Sequence, residues 1–359
     1  MIRLDEVVDP TLLATMVAEG YVRVRPHPTL PLAIHNYSEK AQYEGVWNAA
    51  TLACRGLISH TGTGEVLARP FPKFFTYGQV EVGPLDLGAP VSVTDKADGS
   101  LGVLYPAGNG HEIATRGSFA SDQALHATAL WRKRYAAYTP PAGLTLLFEI
   151  VYPANRIVVD YADLDDLILL GAVSVATGMS LSPDDLAWPG PRVESFGYPT
   201  LGEALAAEPR AGREGLVVRF TGSERRIKIK YDEYVALHRV VTGLNARVVW
   251  EALVDDAFGA LVERLPDEFH AWARAVSTEL TARVEAEAER VEAVYAGIVA
   301  GLPDGWTRKD FALVAGRHPD RGCLFSRLDG RDYRQFLWQQ AKPAADWTPT
   351  GRVFDEENA

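Results

Sequence analysis

The sequence predicts an α+β protein, because the pattern of apolar residues changes near residue 230. Before that point, short runs rich in β-branched and aromatic residues are bounded by Gly, Pro or charged turns, which is typical of strands. After Tyr231, apolar residues recur at helical spacing, and no strand-rich segment follows Lys230. A chain of 359 residues can hold one large and one smaller domain. We therefore expect an α+β domain at 1–240 and an all-helical domain at 241–359.

The first domain is expected to consist mainly of strands, with one helix among them. The strand runs cover 21–24, 32–34, 55–59, 91–94, 101–105, 144–150, 167–175, 216–220 and 226–230. Gly62-Thr63-Gly64 predicts a hairpin after the third run. A helix is expected from Ser121 to Tyr138, capped by Ser121 or Asp122 and ended by Pro140-Pro141. Its apolar stripe comprises Leu125, Ala129, Leu130 and Tyr135.

The second domain is expected to contain helices alone. One helical stretch covers 232–261, and a longer amphipathic helix lies at 281–299. The apolar face of the longer helix comprises Val284, Ala288, Val291, Tyr295 and Ile298. Thr307 can cap a further helix, and the last helix can start at Asp329 or Gly330.

Composition indicates a soluble globular protein of the cytoplasm. Apolar residues make up 47% of the chain and charged residues 23%, and no apolar run reaches the length of a membrane span. The first six residues do not have the shape of a signal peptide. Only Cys54 and Cys323 are present, far apart and without metal-ligand spacing, so a reducing compartment is the default.

The net charge of −11 argues against a protein that coats nucleic acid through bulk electrostatics, although a local basic groove can still bind a few phosphates. The charges are uneven. From Glu251 to Glu292, eleven Asp or Glu stand against four Arg, and from Arg308 to Lys342, eight Arg or Lys stand against four Asp. An acidic module followed by a basic tail could shape where a nucleic acid approaches, but uneven charge is also common on a solvated face.

The segment Lys96-Ala97-Asp98-Gly99-Ser100 follows the β-rich run 91–94. A lysine, a carboxylate, a glycine and a hydroxyl directly after a strand form the pattern of a lysine that attacks a nucleotide phosphate. Gly99 lets a nucleotide approach the backbone, and Asp98 and Ser100 can orient groups around the lysine and the ribose. Taken alone, the five residues also fit the end of a surface strand.

Further segments in a fixed order favour nucleotidyl transfer. They are Arg55-Gly56, 148–158, 214–219 and 227–230. With the lysine segment, this series resembles the covalent nucleotidyltransferase superfamily of polynucleotide ligases and mRNA capping enzymes. Within it, 51–56, 69–75, 116–118 and 153–158 resemble the ATP-dependent RNA ligase 1 family, the bacteriophage tRNA-repair type of RNA ligase. DNA ligases and capping enzymes lack the Pro-x-Asn-Arg-Ile-Val extension found at 153–158.

The resemblance implies an ATP-grasp-like ligase domain of antiparallel sheets with helices, followed by an all-α domain. It implies that a lysine takes AMP from ATP, that AMP passes to an RNA 5′-phosphate, and that a 3′-hydroxyl then displaces it. The implied cofactors are ATP and Mg²⁺, for which Mn²⁺ can substitute. The implied partners are RNA with 5′-phosphate and 3′-hydroxyl ends, such as a broken tRNA, and an end-healing kinase or phosphatase.

The same resemblance assigns catalytic residues. Lys96 is the nucleophile, and Lys228 and Lys230 alternate on one strand and so share a face. One of these two contacts the α-phosphate and keeps Lys96 unprotonated by like-charge repulsion. Glu214 holds Mg²⁺ through its waters, and Glu149 lies at the ribose near the metal. From the residues alone, the two lysines also fit an edge strand and Glu214 fits a turn paired with an arginine.

Nucleotide contacts are implied at four more positions. Arg55 and Lys73 hold the triphosphate or the leaving pyrophosphate. Arg116 stands where the family usually carries Lys, which keeps the charge but changes the contact geometry. Val217 packs on the adenine, although a strand valine is also ordinary core.

Two assignments stay open. The family carries a tyrosine before Arg55, and here either His35 has replaced it or Tyr37 supplies it after a small register shift. Arg156 would meet a phosphate of the RNA end, but Asn155 and Arg156 also fit a simple proline turn with a capping Asn.

Other functions were weighed against RNA ligation. A nucleotidyltransferase could adenylate a protein or a metabolite instead, and a DNA ligase-like enzyme would share the lysine chemistry. The helical tail stands where DNA ligases and capping enzymes need an OB-fold, which weighs against those classes. A degenerate nucleotide-binding module is disfavoured because five chemical residues occur together, namely Lys96, Glu149, Glu214, Lys228 and Lys230.

Overall fold

The structure, a computed structural model, describes residues 2–241, 244–265, 267–344, 347 and 349. The chain forms two compact units, Met1–Thr242 and Gly243–Ala359. The first combines sheets with helices, and the elements assigned in the second are all helices, so the predicted α+β fold class is confirmed. Within the described ranges, no helix is both long and apolar enough to cross a membrane.

The strands of the first unit form three sheets. The first sheet has the order β1 (Val22–Pro26), β2 (Leu32–Tyr37), β3 (Arg55–His60) and β4 (Val66–Ala68). The second has the order β11 (Ser180–Leu181), β10 (Asp166–Ser174), β9 (Leu144–Val151), β7 (Ser100–Ala107) and β8 (Gly110–Thr115). The third has the order β12 (Ser195–Phe196), β6 (Val91–Asp95), β13 (Gly215–Phe220), β14 (Arg226–Lys230) and β5 (Phe75–Thr76). Neighbouring strands are antiparallel, apart from the short parallel pair β14 and β5.

Each predicted strand run overlaps one of these strands, with ends that differ by one residue at Tyr21 and at Val175, and the predicted hairpin at Gly62-Thr63-Gly64 joins β3 to β4. The strands β5, β8, β11 and β12 were not predicted, and β4 was implied only by the hairpin. Most of them are too short or too polar to show a period of two in the sequence.

The helices of the first unit are α1 (Leu4–Val7), α2 (Pro10–Ala18), α3 (Glu39–Glu44), α4 (Ala49–Ala53), α5 (Asp122–Arg134), α6 (Leu201–Leu205) and α7 (Asp232–Val241). Ser121 caps α5, as predicted, by accepting a hydrogen bond from the N–H of Ala124 at 3.3 Å. The predicted stripe was partly wrong, because Leu125 and Ala129 are exposed while Ala127 and Trp131 are buried. The Trp131 ring stacks on the Trp188 indole within the core, so the buried face of the helix includes Trp131 in place of Leu125.

Two packed layers make up the core of the first unit. Side chains of α5 cover one face of the second sheet, and the first sheet covers the other face. The third sheet packs one face against α6, α7 and the segment around Val158 and Val159. Its other face is left for a cleft.

The second unit consists of α8 (Ala246–Val254), α9 (Phe258–Arg264), α10 (Asp267–Ala300), α11 (Arg308–Ala315), α12 (Arg321–Leu328) and α13 (Arg334–Gln340). The predicted apolar face of α10 is confirmed, with Val284, Ala288 and Val291 buried in one cluster and Tyr295 and Ile298 packed against it. Thr307 caps α11, as predicted.

Two helix predictions in this region were wrong. The continuous stretch 232–261 is divided among α7, α8 and α9, because Asn245 caps a new helix and Asp256 takes a positive φ of 52° that ends the turn after α8. The last helix starts at Arg334, since Asp329 lies at the end of α12, a helix that was not predicted.

The acidic and basic stretches of the second unit neutralise each other in part. Arg327 pairs with Glu292 at 2.8 Å, and Arg334 pairs with Glu285 at 2.5 Å. Arg290 of the acidic stretch pairs in turn with an aspartate of the basic one at 2.6 Å. These ion pairs tie α10 to α12 and α13. Part of the uneven charge of the sequence therefore joins helices.

Candidate active site

The open face of the third sheet forms the floor of a cleft. Successive side chains of a strand point to opposite faces, so β6, β13 and β14 place alternate residues in the core and in the cleft. The core side comprises Val91, Val93, Leu216, Val218 and Ile227. The cleft side comprises Ser92, Thr94, Val217, Arg219, Arg226 and Lys228. Residues that alternate in the sequence therefore share one face of the site.

Strand register arranges the cleft residues in three cross-strand rows. In the first row, the N–H of Lys96 donates to the carbonyl of Gly215 at 2.9 Å, and Gly215 pairs with Lys230. The second row comprises Thr94, Val217 and Lys228. The third row comprises Ser92, Arg219 and Arg226. Lys96 and Lys230 therefore lie at one end of the floor, and Arg219 and Arg226 lie at the other.

The rest of the lining combines apolar and cationic groups. It includes Phe71, Phe74, Leu101, Leu170 and Pro183. The Arg55 guanidinium lies 5.3 Å from the Phe74 ring centroid, and the Lys228 ammonium lies 5.4 Å from it. A cleft with apolar walls and a few convergent charged groups is typical of a site for a nucleotide.

The Lys96 side chain lies in an ion-pair cluster with Glu214 and Lys230. One carboxylate oxygen of Glu214, Oε1, pairs with the Nζ atoms of both lysines, with 3.1 Å to Lys230. The Glu214 side chain is 3% exposed and that of Lys230 is 7% exposed. Glu214 thus pairs with two lysines. The alternative interpretation of the sequence, a turn in which Glu214 pairs with an arginine, is not what the structure shows.

Gly215 allows this cluster to form. Its φ of 149° is rare for residues with a side chain, and a Cβ there would lie 2.0 Å from the carbonyl oxygen of Ile229. The strands approach so closely that only glycine fits between Glu214 and the rest of β13. Glu214 and Lys230 are thereby held opposite Lys96.

Glu149 on β9 lies in the same electrostatic environment. Loss of water around its carboxyl group raises the pKa of Glu149 to about 8. The cations Lys96 and Arg55 oppose this shift, and the carboxylates of Glu214 and Asp98 add to it. Glu149 therefore carries a proton more readily than an ordinary glutamate until another cation enters the site.

A hydrated divalent cation fits Glu149 and Glu214. Among the residues that the structure describes, no group of three or more His, Cys, Asp or Glu side chains could hold a metal ion. Mg²⁺ retains its waters reluctantly and binds through one or two carboxylates together with substrate phosphates. The charges of Glu149 and Glu214 disfavour each other, and a divalent cation would offset that repulsion. These two residues alone do not enclose a metal ion.

Asp98 is engaged by the protein. Its Oδ2 accepts hydrogen bonds from the N–H groups of Val158 at 2.9 Å and Val159 at 2.8 Å. Its Oδ1 accepts from the hydroxyl of Tyr234 at 2.8 Å, and its own N–H donates to the hydroxyl of Tyr161. Three donors on one buried carboxylate favour a positioning role over the ATP contact that was expected. Asp98 ties the lysine segment to the loop after β9 and to α7.

The neighbouring residues pack against β9 and its following turn. A Cβ at Gly99 would lie 2.6 Å from a carbonyl oxygen of β9, so the close approach there is to the protein itself. The Asn155 amide bonds the Ser100 hydroxyl at 3.2 Å. Arg156 is half exposed, pairs with Asp160 at 3.0 Å and does not line the cleft described above.

Lys73 and Arg116 surround Tyr37. The Lys73 ammonium lies 5.2 Å from the ring centroid of Tyr37, 5.3 Å from that of Trp47 and 5.4 Å from that of Phe75. The Arg116 guanidinium donates a hydrogen bond to the Tyr37 hydroxyl at 2.7 Å. Cation–π contacts of this kind hold a buried ammonium in place. The three predicted residues Lys73, Arg116 and Tyr37 therefore come together.

His35 lies elsewhere. Its Nε2 atom is 2.9 Å from the hydroxyl of Ser59, and burial lowers the pKa of His35 to about 4. The ring is therefore neutral at physiological pH. A register shift between His35 and Asn36 in the pairing of β2 with β3 changes the direction of the strand before Tyr37. The structure thus groups Tyr37, and not His35, with the predicted cations.

Sequence reasoning missed several cleft or near-cleft residues, of which five bear on the argument. They are Trp47, Ser92, Thr94, Arg219 and Arg226. Counting two residues back from Lys228 reaches Arg226, and two forward from Val217 reaches Arg219, so alternation could have found both. Trp47 precedes α4 and gives no periodic signal.

Comparison with known proteins finds similarity to RNA ligases. A family model described as RNA ligase matches residues 53–196. An RNA ligase of Rhodothermus phage RM378 is 24% identical over 359 residues, which covers 78% of this chain and 81% of the phage protein.

Solved structures of Naegleria gruberi RNA ligase are also similar. The structure with PPi has 19% identity and a TM-score of 0.34, and the match covers 43% of this chain. A variant of that ligase with ATP and Mn has 18% identity and a TM-score of 0.33, with 42% of this chain covered. In both cases the match spans about half of the Naegleria chain, 52%.

Proposed function

We propose that this chain, which belongs to the ATP-dependent RNA ligase family, joins RNA 5′-phosphate and 3′-hydroxyl ends through lysyl-AMP and RNA-adenylate intermediates. The observation that supports this most directly is the cluster in which Lys96 and Lys230 share one oxygen of the buried Glu214. It presents a lysine amine beside a second cation and a carboxylate at one end of a nucleotide-sized cleft. That arrangement suits attack on a phosphate.

In the first step, the Nζ of Lys96 attacks the α-phosphorus of ATP. A P–N bond forms as the bond to the β-phosphate oxygen breaks, and pyrophosphate leaves. Phosphoryl transfer depends chiefly on positioning and on neutralised charge. Lys230 and Lys228 lie on the cleft face next to Lys96, and Arg55 lines the same cleft. These cations would bind the phosphates and balance the charge that develops on them.

Lys96 attacks only as a neutral amine, so its proton must leave. The Glu214 carboxylate stabilises the charged form of Lys96, but it shares the same oxygen with Lys230. The second ammonium therefore competes with Lys96 for that oxygen. We expect this competition to leave the Lys96 side chain free to turn towards the α-phosphate.

Glu149 and Glu214 would hold Mg²⁺ or Mn²⁺, and when bound the ion would neutralise phosphate charge and orient the leaving group. Tyr37, Lys73 and Arg116 would contact the outer phosphates, because the aromatic rings keep both cations in place. Val217, in the middle row, would pack on the adenine.

In the later steps, AMP would pass from Lys96 to an RNA 5′-phosphate, and a 3′-hydroxyl would displace it. We propose that the exposed Arg156 contacts the RNA end and that the substrate is a broken RNA such as a cleaved tRNA. An end-healing kinase or phosphatase would supply the matched ends, in the cytoplasm. The second unit would then bind the folded RNA through shape, since many of its charges are paired internally.

The test is incubation with α-labelled ATP and Mg²⁺, followed by denaturing electrophoresis and by sealing of a nicked RNA. The wild type should retain label, transfer it to a 5′-phosphorylated strand and join the strands. Lys96→Ala should retain none, and the exposed Lys133→Ala should behave as wild type. NAD should not replace ATP. Label on another residue, or transfer to protein but not to RNA, would contradict the proposal.

A further inference from the structure

The third row of the cleft floor, Ser92, Arg219 and Arg226, has no part in the chemistry above. Two residues along a strand advance by roughly 6.6–6.8 Å, so this row lies roughly 13 Å from the row of Lys96 and Lys230. All three rows share one face of the sheet and one cleft. A nucleotide whose α-phosphate meets Lys96 and whose sugar or base crosses Val217 would extend towards this row.

The guanidinium of Arg226 is buried, which is unusual for a charged group. Its side chain is 7% exposed, and its guanidinium carbon lies 4.0 Å from the centroid of the Phe71 ring. Burial lowers the pKa of Arg226 to about 10, which still leaves it charged at neutral pH. A buried cation is costly unless its donors are satisfied.

The partners of Arg226 within the protein are few. Its Nη1 donates to the carbonyl of Glu224 at 3.1 Å, and its Nη2 lies 3.9 Å from the Glu224 carboxylate. That carboxylate already accepts from Arg219 at 3.1 Å and from the N–H of Ser180 at 3.0 Å. A guanidinium has five N–H donors. In the described part of the chain, Arg226 therefore keeps donor capacity while lining the cleft.

We infer that Arg226 recognises the nucleobase of the bound nucleotide, by donating a hydrogen bond to a ring nitrogen of adenine. The inference rests on the proposed function, since it takes the α-phosphate to lie at Lys96. Adenine presents acceptor nitrogens at its ring edges and an exocyclic amino donor. Arg226 can serve the acceptors, and the hydroxyls of Ser92 and Ser182, which also line the cleft, can accept from the amino group. Phe71 holds the guanidinium plane in place beneath the base edge.

This assignment makes Arg226 a residue that determines nucleotide specificity. A site built to hydrogen-bond a ligand atom rejects an analogue without that atom, because the buried protein group is left unpaired. Losing a hydrogen bond from a charged donor reduces binding by about 10- to 100-fold. The same loss should follow whether the donor or the acceptor is removed, and removal of both should add little.

The experiment is a double-mutant cycle between protein and nucleotide. The rate constant kcat/KM for lysyl-AMP formation is measured with ATP, 1-deaza-ATP, 3-deaza-ATP and 7-deaza-ATP, for the wild type and for Arg226→Met. Methionine keeps an unbranched chain against Phe71 and removes every donor. The wild type should lose about 10-fold or more with one deaza analogue, and Arg226→Met should lose a similar factor with ATP but little more with that analogue. Arg225 is an exposed neighbour that does not line the cleft, so Arg225→Met should match the wild type.

Three outcomes would overturn the inference. One is a wild type that treats all four nucleotides alike. Another is an Arg226→Met enzyme that still discriminates against the same analogue by the full factor. The third is an Arg226→Met protein that binds adenosine, which carries no phosphate, as well as the wild type does, because the row would then serve an anion. If Arg226→Met fails to fold by circular dichroism, Arg226→Leu, which also removes every donor, replaces it, with the same expected loss of discrimination. Failure of the wild type to form lysyl-AMP from ATP would instead refute the proposed function.

Discussion

Substitution of Glu214 by Gln tests the ion-pair cluster at the proposed nucleophile. Gln keeps the shape of the side chain and removes the carboxylate charge with which Lys96 and Lys230 both pair. At an effective dielectric constant near 20, two unit charges about 4 Å apart interact by about 4 kcal/mol, so the loss of this counter-charge is costly. Removal of one partner of a buried ion pair typically costs about 3–5 kcal/mol, which agrees with this value. We therefore expect Glu214→Gln to lower the free energy of unfolding by about 3 kcal/mol.

The same change should slow adenylation. Glu214 orients Lys96 and is one of two proposed carboxylates for Mg²⁺, so its charge is needed when the α-phosphate reacts. Loss of one strong electrostatic contact of this kind costs about 10²–10³ in rate. Single-turnover formation of lysyl-AMP at saturating ATP gives the rate, and urea unfolding gives the stability. Glu208→Gln, an exposed glutamate before β13, is the matched control and should change neither.

A folded Glu214→Gln protein with a rate close to that of the wild type would refute the catalytic reasoning. Unchanged stability would refute the electrostatic reasoning separately, since it would mean that the two lysines are not held by the carboxylate. The slower rate should persist at saturating ATP, because the effect is on the chemical step and not on binding of the nucleotide.

Three further predictions concern other parts of the molecule. The pKa of Glu149 is raised from 4.5 to about 8, so the folded state binds its proton more tightly, and stability is full below about pH 4 and falls as pH rises towards 8. Urea unfolding at pH 5 and pH 8 without divalent cations should show this fall in the free energy of unfolding of the wild type, by at most about 5 kcal/mol. Glu149→Gln should abolish the fall. Tyr37→Phe removes the acceptor of Arg116 and should raise KM for ATP about 10-fold, whereas His35→Gln should lower stability and leave KM unchanged. A fragment of residues 1–242, checked by circular dichroism, should form lysyl-AMP but lose preference for a nicked tRNA stem-loop over linear RNA, and a folded fragment that keeps this preference would place RNA specificity in the first unit.

Local periodicity explains which elements were predictable. The strand β14 alternates Arg-Ile-Lys-Ile-Lys, and a period of two places its basic residues on one face in any sheet. The apolar face of α10 recurs at helical spacing and is buried as expected. Short strands such as β5 and β12 have two residues each and show no period, so they depend on partners that the sequence does not reveal.

Long-range pairing explains what could not be predicted at the site. Asp98 seemed available for ATP, but its carboxylate is taken by the backbone of Val158 and Val159, some sixty residues away. Either His35 or Tyr37 fitted the sequence, and the structure groups Tyr37 with Lys73 and Arg116 after a register shift in β2. Trp47 joined the site only because its ring packs beside Lys73.

By itself the sequence determined the type of chemistry, since a lysine after a strand, two glutamates and alternating basic residues are local patterns whose meaning does not depend on distant neighbours. The tertiary structure decided which of these groups share an atom. Glu214 bonds both Lys96 and Lys230, and Arg226 falls in a row with Arg219 and Ser92, because β6, β13 and β14 pair in one register. A slip of one residue would turn every one of these side chains to the other face. Register is set by the whole core on the far side of the sheet, and that core forms only when the chain folds.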